Sequence, residues 1–129
     1  MKKYKWEDMN EIIVNGKQYV LKESIKESNP AKSLKGKPYV IVRTYSAGVF
    51  AGYLGKRNGK EGKILNARRL WYWKGASSLS QLAEEGVKYP DECKFPCEVS
   101  EIELTEIIEV LKATEKARLN IASVPIWKQ

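Results

Sequence analysis

Chemistry at neutral pH most often relies on an imidazole, and this chain of 129 residues contains no histidine. The usual general base is therefore missing. Cys93 and Cys97 have no imidazole to complete a nucleophilic pair. Separated by Lys-Phe-Pro, they also fall short of the four ligands of a structural zinc site. A homodimer pooling its thiolates could supply four, yet two small half-buried thiols is the simpler reading. A disulfide across so short a loop is disfavoured in a reducing cytosol. A serine nucleophile would need a lysine as its base, and no local motif announces one. Glu84-Glu85 and the Glu101/Glu103 pair read as solvated faces rather than acid–base couples. The turn Gly55–Lys60 has the wrong spacing for a phosphate loop and no Ser or Thr after its lysine. The residues point to a binder, with no catalytic residue, cofactor or metal expected.

What they could bind is indicated by residues 66–76, NARRLWYWKGA, where two arginines precede three consecutive aromatics. Aromatic faces stack on planar rings, and guanidinium forks hold phosphate in a bidentate way. That combination favours a nucleotide-like ligand. Arg68 and Arg69 cannot point the same way on a regular strand, so one contacts a ligand or a neighbouring subunit and the other is solvated. Trp71 and Trp73 share a strand face and serve either as core or as a stacking platform. Arg43 lies within an apolar strand, where it is either paired or turned into a site. Tyr45 and Ser46 stand at the mouth of a turn and offer a ring and a hydroxyl, or act as ordinary turn residues. Asn66 could read a base or ribose edge, or mark a bulge. Arg118 completes the candidate ligand-binding set.

The elements that must position these residues follow from periodicity. Residues 1–36 form a polar, Lys-rich arm with a predicted hairpin over 11–21 about Asn15-Gly16, a pair suited to a type I′ turn. The remaining residues, 37–129, form the sheet-plus-helix core of a single domain. Tyr39–Tyr45, Val49–Leu54 and Lys63–Trp73 read as antiparallel strands joined by Ser46-Ala47-Gly48 and by a second turn at 56–62. Gly52 inside the second strand marks a bulge or a close approach. The period of two along Lys63–Trp73 places Leu65, Arg69, Trp71 and Trp73 on one face, with Ile64, Asn66, Arg68, Leu70 and Tyr72 on the other. Both faces are mixed. Ser78 to Gln81 fits a capping box, with Gly86 as the helix stop. Residues 99–111 fit a helix or a strand broken at Glu106, and their β-branched content favours strand. Thr114 is the expected N-cap of a short helix reaching Ile121. The expected fold is α+β: an oligomeric antiparallel sheet of about five to six strands with two or three short helices.

Composition narrows the partner. Lys and Arg outnumber Asp and Glu by 23 to 16, so the net charge of +7 favours anions. No run approaches 18 apolar residues, and the basic N-terminus lacks a signal-peptide core, so a cytoplasmic protein is expected and no membrane.

The runs 42–53 (VRTYSAGVFAGY), 67–76 (ARRLWYWKGA), 78–82 (SLSQL) and 104–109 (LTEIIE) resemble a family of small phage and prophage proteins, the anti-Thoeris signal-sequestering proteins. The resemblance covers residues 39–127. It implies an immune-evasion sponge in the host cytoplasm that binds a cyclic ADP-ribose isomer, glycocyclic ADP-ribose, without degrading it. It also implies a homo-oligomer, a dimer or a hexamer, with further sites for cyclic oligonucleotides. Arginines for the pyrophosphate, an aromatic for adenine, and Asn, Ser or Thr for ribose hydroxyls would suit such a ligand. The alternative is a single-stranded nucleic-acid-binding phage protein, because basic charge interleaved with aromatics on a sheet serves that role too.

Overall fold

The computed structural model describes residues 29–129; the hairpin expected at 11–21 lies outside them. Among the described residues five strands are present: β1 (Tyr39–Thr44), β2 (Val49–Asn58), β3 (Glu61–Arg69), β4 (Val99–Leu104) and β5 (Ile107–Lys112). They form one antiparallel sheet in the order β4-β3-β2-β1-β5. Helix α1 (Leu79–Glu85) and a 3-10 turn (Pro90–Glu92) sit between β3 and β4, and α2 (Glu115–Ser123) follows β5. The class is α+β, as the sequence predicts.

Alternation along the strands sorts apolar side chains onto two faces. Tyr39, Ile41 and Ala51 join Leu82, Ala83, Phe95, Ala117 and Ile121 in a core between the sheet and its helices. Val40, Val42, Phe50, Ile64, Ala67, Leu104 and Ile107 form a second core to which all five strands contribute and no helix does. Val40, Val42 and Ile64 have no exposed surface at all. A sheet can bury its own concave face only by curling, and two contacts record that curl. The two edge strands are joined by just Thr105 and Glu106, and the Ile107 amide donates to Lys60 O at the β2–β3 turn (2.9 Å). A Cβ on Gly62 would lie 2.8 Å from Ile107 Cδ1, so a bare glycine is needed where the hairpin folds back over β5.

The bends have local causes. Tyr53 pairs with Leu65 and Ala51 with Arg68, so Gly52 alone opposes both Asn66 and Ala67. This is a β-bulge with Asn66 in the left-handed region (φ 50°). It reverses the facing of everything after it. Ile64 and Ala67 both enter the concave core, and Arg68 passes to the helix side. The uninterrupted period of two over 63–73 is thereby corrected. The strand also stops at Arg69 rather than Trp73: the Leu70 amide still reaches Val49 O (2.8 Å), but β2 begins there and offers no further partner. Tyr72 instead exchanges both backbone bonds with Lys94 (3.2 and 2.7 Å). Strand β2 runs past Leu54 to Asn58, bulging between Leu54 and Arg57, so the turn narrows to Gly59-Lys60.

The helix ends fall where expected, with half of the capping box formed. Ser78 Oγ accepts from the Gln81 amide (3.2 Å), Gln81 Oε1 accepts from the Ser77 amide (2.9 Å) in place of that of Ser78, and Gly86 ends α1 at φ 81°. Thr114 Oγ1 accepts from the Ala117 amide (3.1 Å) at the start of α2. Residues 99–111 are two strands, broken at Thr105-Glu106. Among the described residues no helix is long and apolar enough to cross a membrane.

Candidate functional site

The two adjacent arginines separate at once. Arg68 is 5% exposed and its guanidinium is spent on backbone. Nε donates to Pro96 O (2.9 Å) and Nη1 to Ile121 O (2.8 Å). Nη2 lies between the carbonyls of Phe95 (3.1 Å), Val124 (2.7 Å) and Pro125 (3.2 Å). Its plane packs over the Phe95 ring, 5.5 Å from the centroid. Ile121 and Val124 stand at the C-terminal end of α2, where carbonyls lack intrahelical partners and the helix dipole favours a cation. Burial pulls the Arg68 pKa down from its usual value, while the group stays charged in a nest of acceptors. Arg68 is an architectural residue.

Arg69 turns to the concave side, at the end of the sheet. Its guanidinium lies over the Phe50 ring, 4.5 Å from the centroid, and Nη1 donates to Ala47 O (2.6 Å) in the β1–β2 turn. Its remaining nitrogens make no hydrogen bond among the described residues. Tyr45 and Trp71 flank this end in sequence and are 78% and 64% exposed. Core packing does not account for rings left that far in water.

The turn itself is braced by β5. Glu106 O accepts the Tyr45 amide (2.9 Å), and its carboxylate takes the Ser46 hydroxyl (2.6 Å). The next residue, Ile107, bonds to Lys60, so the tip of the basic β2–β3 hairpin meets the same brace. Thr44 Oγ1 completes the turn by donating to Gly48 O (2.7 Å) and accepting from the Ala47 amide (3.0 Å). From the predicted set, Tyr45, Ser46 and Arg69 thus meet at the rim, and Trp71 follows Arg69 by two residues in the chain with its ring exposed.

The others stand apart. Arg43 is exposed on β1 and faces Glu109 of β5 at 3.6 Å. Asn66 is the bulge residue. Trp73 is half-buried and packs against the helix-side core. Arg118, on α2, holds Glu115 in a two-bond fork (3.0 and 2.6 Å). That fork, with the Lys32 amide (2.8 Å), holds the Glu115 carboxyl down to about 2, and raises the Arg118 pKa in turn.

Two features escape a reading of the sequence. Glu106 braces the rim from 60 residues beyond Ser46. Beside Arg69 lies a cavity of about 180 Å³ lined by Phe50, Ala67, Pro96, Cys97, Val99 and Ile102. The two thiols expected to be half-buried differ: Cys97 is an exposed free thiol, while Cys93 is buried, its pKa pushed up by that burial. Among the described residues no group of His, Cys, Asp or Glu could hold a metal ion. A wider hollow of about 440 Å³ follows the hairpin, but Lys56 and Lys63 share it with Glu61 and Glu103.

Fold and rim define a small α+β protein whose curled sheet carries a cation and exposed rings at one end. The chain belongs to a family described as a domain of unknown function, DUF6948, whose model matches residues 37–121. That span takes in all five strands, α1 and most of α2. No curated protein and no solved structure matches the chain.

Proposed function

We propose that this protein is a non-catalytic sponge for a nucleotide signal of the cyclic ADP-ribose type, blocking TIR-based (Thoeris) antiphage defence in the bacterial cytoplasm. One observation carries the reading: Arg69 has guanidinium nitrogens with no hydrogen bond among the described residues, and the exposed rings of Tyr45 and Trp71 stand two residues along the chain from Ala47, which Arg69 holds, and from Arg69 itself. A guanidinium for phosphate beside aromatic faces for a base is the minimal recognition set for such a molecule. The resemblance of residues 39–127 to anti-Thoeris proteins supplies the signal's identity. Without an imidazole at the rim, the bound nucleotide would be held rather than hydrolysed. A rim this open encloses a ligand better when a second copy covers it, so the working form is a homo-oligomer, a dimer or a hexamer.

Calorimetric titration with glycocyclic ADP-ribose, followed by heat release and mass spectrometry, tests this. Tight binding with the ligand recovered intact is expected. An altered ligand would make the protein an enzyme, and no heat would remove the cyclic ADP-ribose reading.

A second reading rests on the hairpin tip, where Lys56, Arg57 and Lys60 are exposed and none has an acidic partner among the described residues. It makes the protein a single-stranded nucleic-acid binder. Salt separates the two: contact with many phosphates weakens by orders of magnitude between low and moderate salt, whereas a site for one pyrophosphate weakens far less.

A further inference from the structure

The geometry points to the cavity beside Arg69 as the subsite for one planar base of the bound nucleotide, an inference that rests on the nucleotide reading above. Sites for whole drug-sized ligands run to about 300–1,000 Å³. This cavity, at about 180 Å³, is too small for a dinucleotide and suited to one ring system. Its floor is Phe50 and Ala67, which are 1% and 2% exposed; its sides are Pro96, Ile102 and Val99. Those walls offer apolar faces and no carboxylate. A ribose or phosphate would lose its hydration there without compensation, whereas a base keeps its faces in apolar contact.

The one charged lining residue is Arg69, whose plane already lies on the Phe50 ring and whose Nη1 is tied to the β1–β2 turn. Held so, the guanidinium is positioned to meet the phosphate of a nucleotide whose base fills the cavity. Val99 adds a second sign. It is an apolar residue on an edge strand, 46% exposed, and it borders this cavity. A ring seated there would cover it.

The exposed Cys97 thiol lines the same cavity and reports on its occupancy. Full-length protein is treated with iodoacetamide in the presence of AMP, of ribose 5-phosphate, or of neither, and modification of Cys97 is followed by mass spectrometry. AMP is expected to slow alkylation several-fold, while ribose 5-phosphate, which lacks the base, leaves it unchanged. Equal protection by both would overturn the assignment, as would none from AMP. In parallel, Val99→Trp fills the cavity from an exposed strand position that tolerates large side chains. Titrated with glycocyclic ADP-ribose, it should bind about tenfold or more weakly than wild type, the weight of one stacked base. Equal binding by both proteins would remove the base subsite and leave the sponge reading standing. Binding by neither would remove that reading, and the subsite with it.

Discussion

Arg68 and Arg69 are neighbours in the chain and opposites in the molecule. The first is sunk beneath α2, surrounded by five carbonyls. The second rests on a phenylalanine at the end of the sheet with part of its fork unbonded among the described residues. An arginine's meaning is thus set by how many of its donors the backbone has already taken. Strand alternation sends the two side chains to opposite faces, and the Asn66 bulge decides which goes where. Were residues 64 to 69 to alternate without the bulge, Arg69 would point at the helices and Arg68 at the rim.

The contrast can be broken most forcefully at Arg68. Arg68→Ala orphans buried carbonyls at the end of α2 and should cost about 3 kcal/mol or more, read as a fall in the urea midpoint. Arg68→Lys should recover little, since an ammonium cannot reproduce the planar fork. Arg69→Ala should do the reverse: its stability loss stays within about 1 kcal/mol, while affinity for glycocyclic ADP-ribose drops at least about tenfold in calorimetry. Trp71→Ala should follow Arg69→Ala in both measurements. If either variant binds as wild type does, the rim is not the site.

A smaller effect tests the bulge. Asn66→Ala places a residue without a side-chain amide at positive φ and should cost about 1 kcal/mol, whereas Asn66→Gly should restore the loss. The smallest effect concerns pH. Because Arg118 and the Lys32 amide lower the folded-state pKa of Glu115 from 4.5 to about 2, the unfolded chain binds the proton more readily between those values. The pair's contribution, up to about 1 kcal/mol, is therefore complete above pH 4.5 and lost as pH falls toward 2. Glu115→Gln should flatten that part of the stability profile, measured as urea midpoints at pH 5 and pH 3.

Local chemistry was legible in the sequence. The cap at Ser78, the stop at Gly86, the cap at Thr114 and a turn within 56–62 each depend on residues a few positions apart. What escaped depends on distant partners. The acceptors of Arg68 lie 27 to 57 residues further along the chain, so no spacing rule finds them. Trp71 to Trp73 look like strand by composition, but a strand needs a neighbour, and β2 begins too late to be one. Asn66 was open as either a ligand contact or a bulge; its backbone, opposite Gly52, makes it the bulge. The cavity beside Arg69 joins β2, β3, the 96–97 segment and β4, which pairing between strands far apart in the chain brings together.

The nest around Arg68 also bears on synthesis. A ribosome delivers β1, β2 and β3 well before residues 121–125, so during that interval the guanidinium lacks three of the five carbonyls that will hold it. Burying it early would strand a charge without acceptors. The full set of Arg68 acceptors is complete only once α2 and the segment after it are in place.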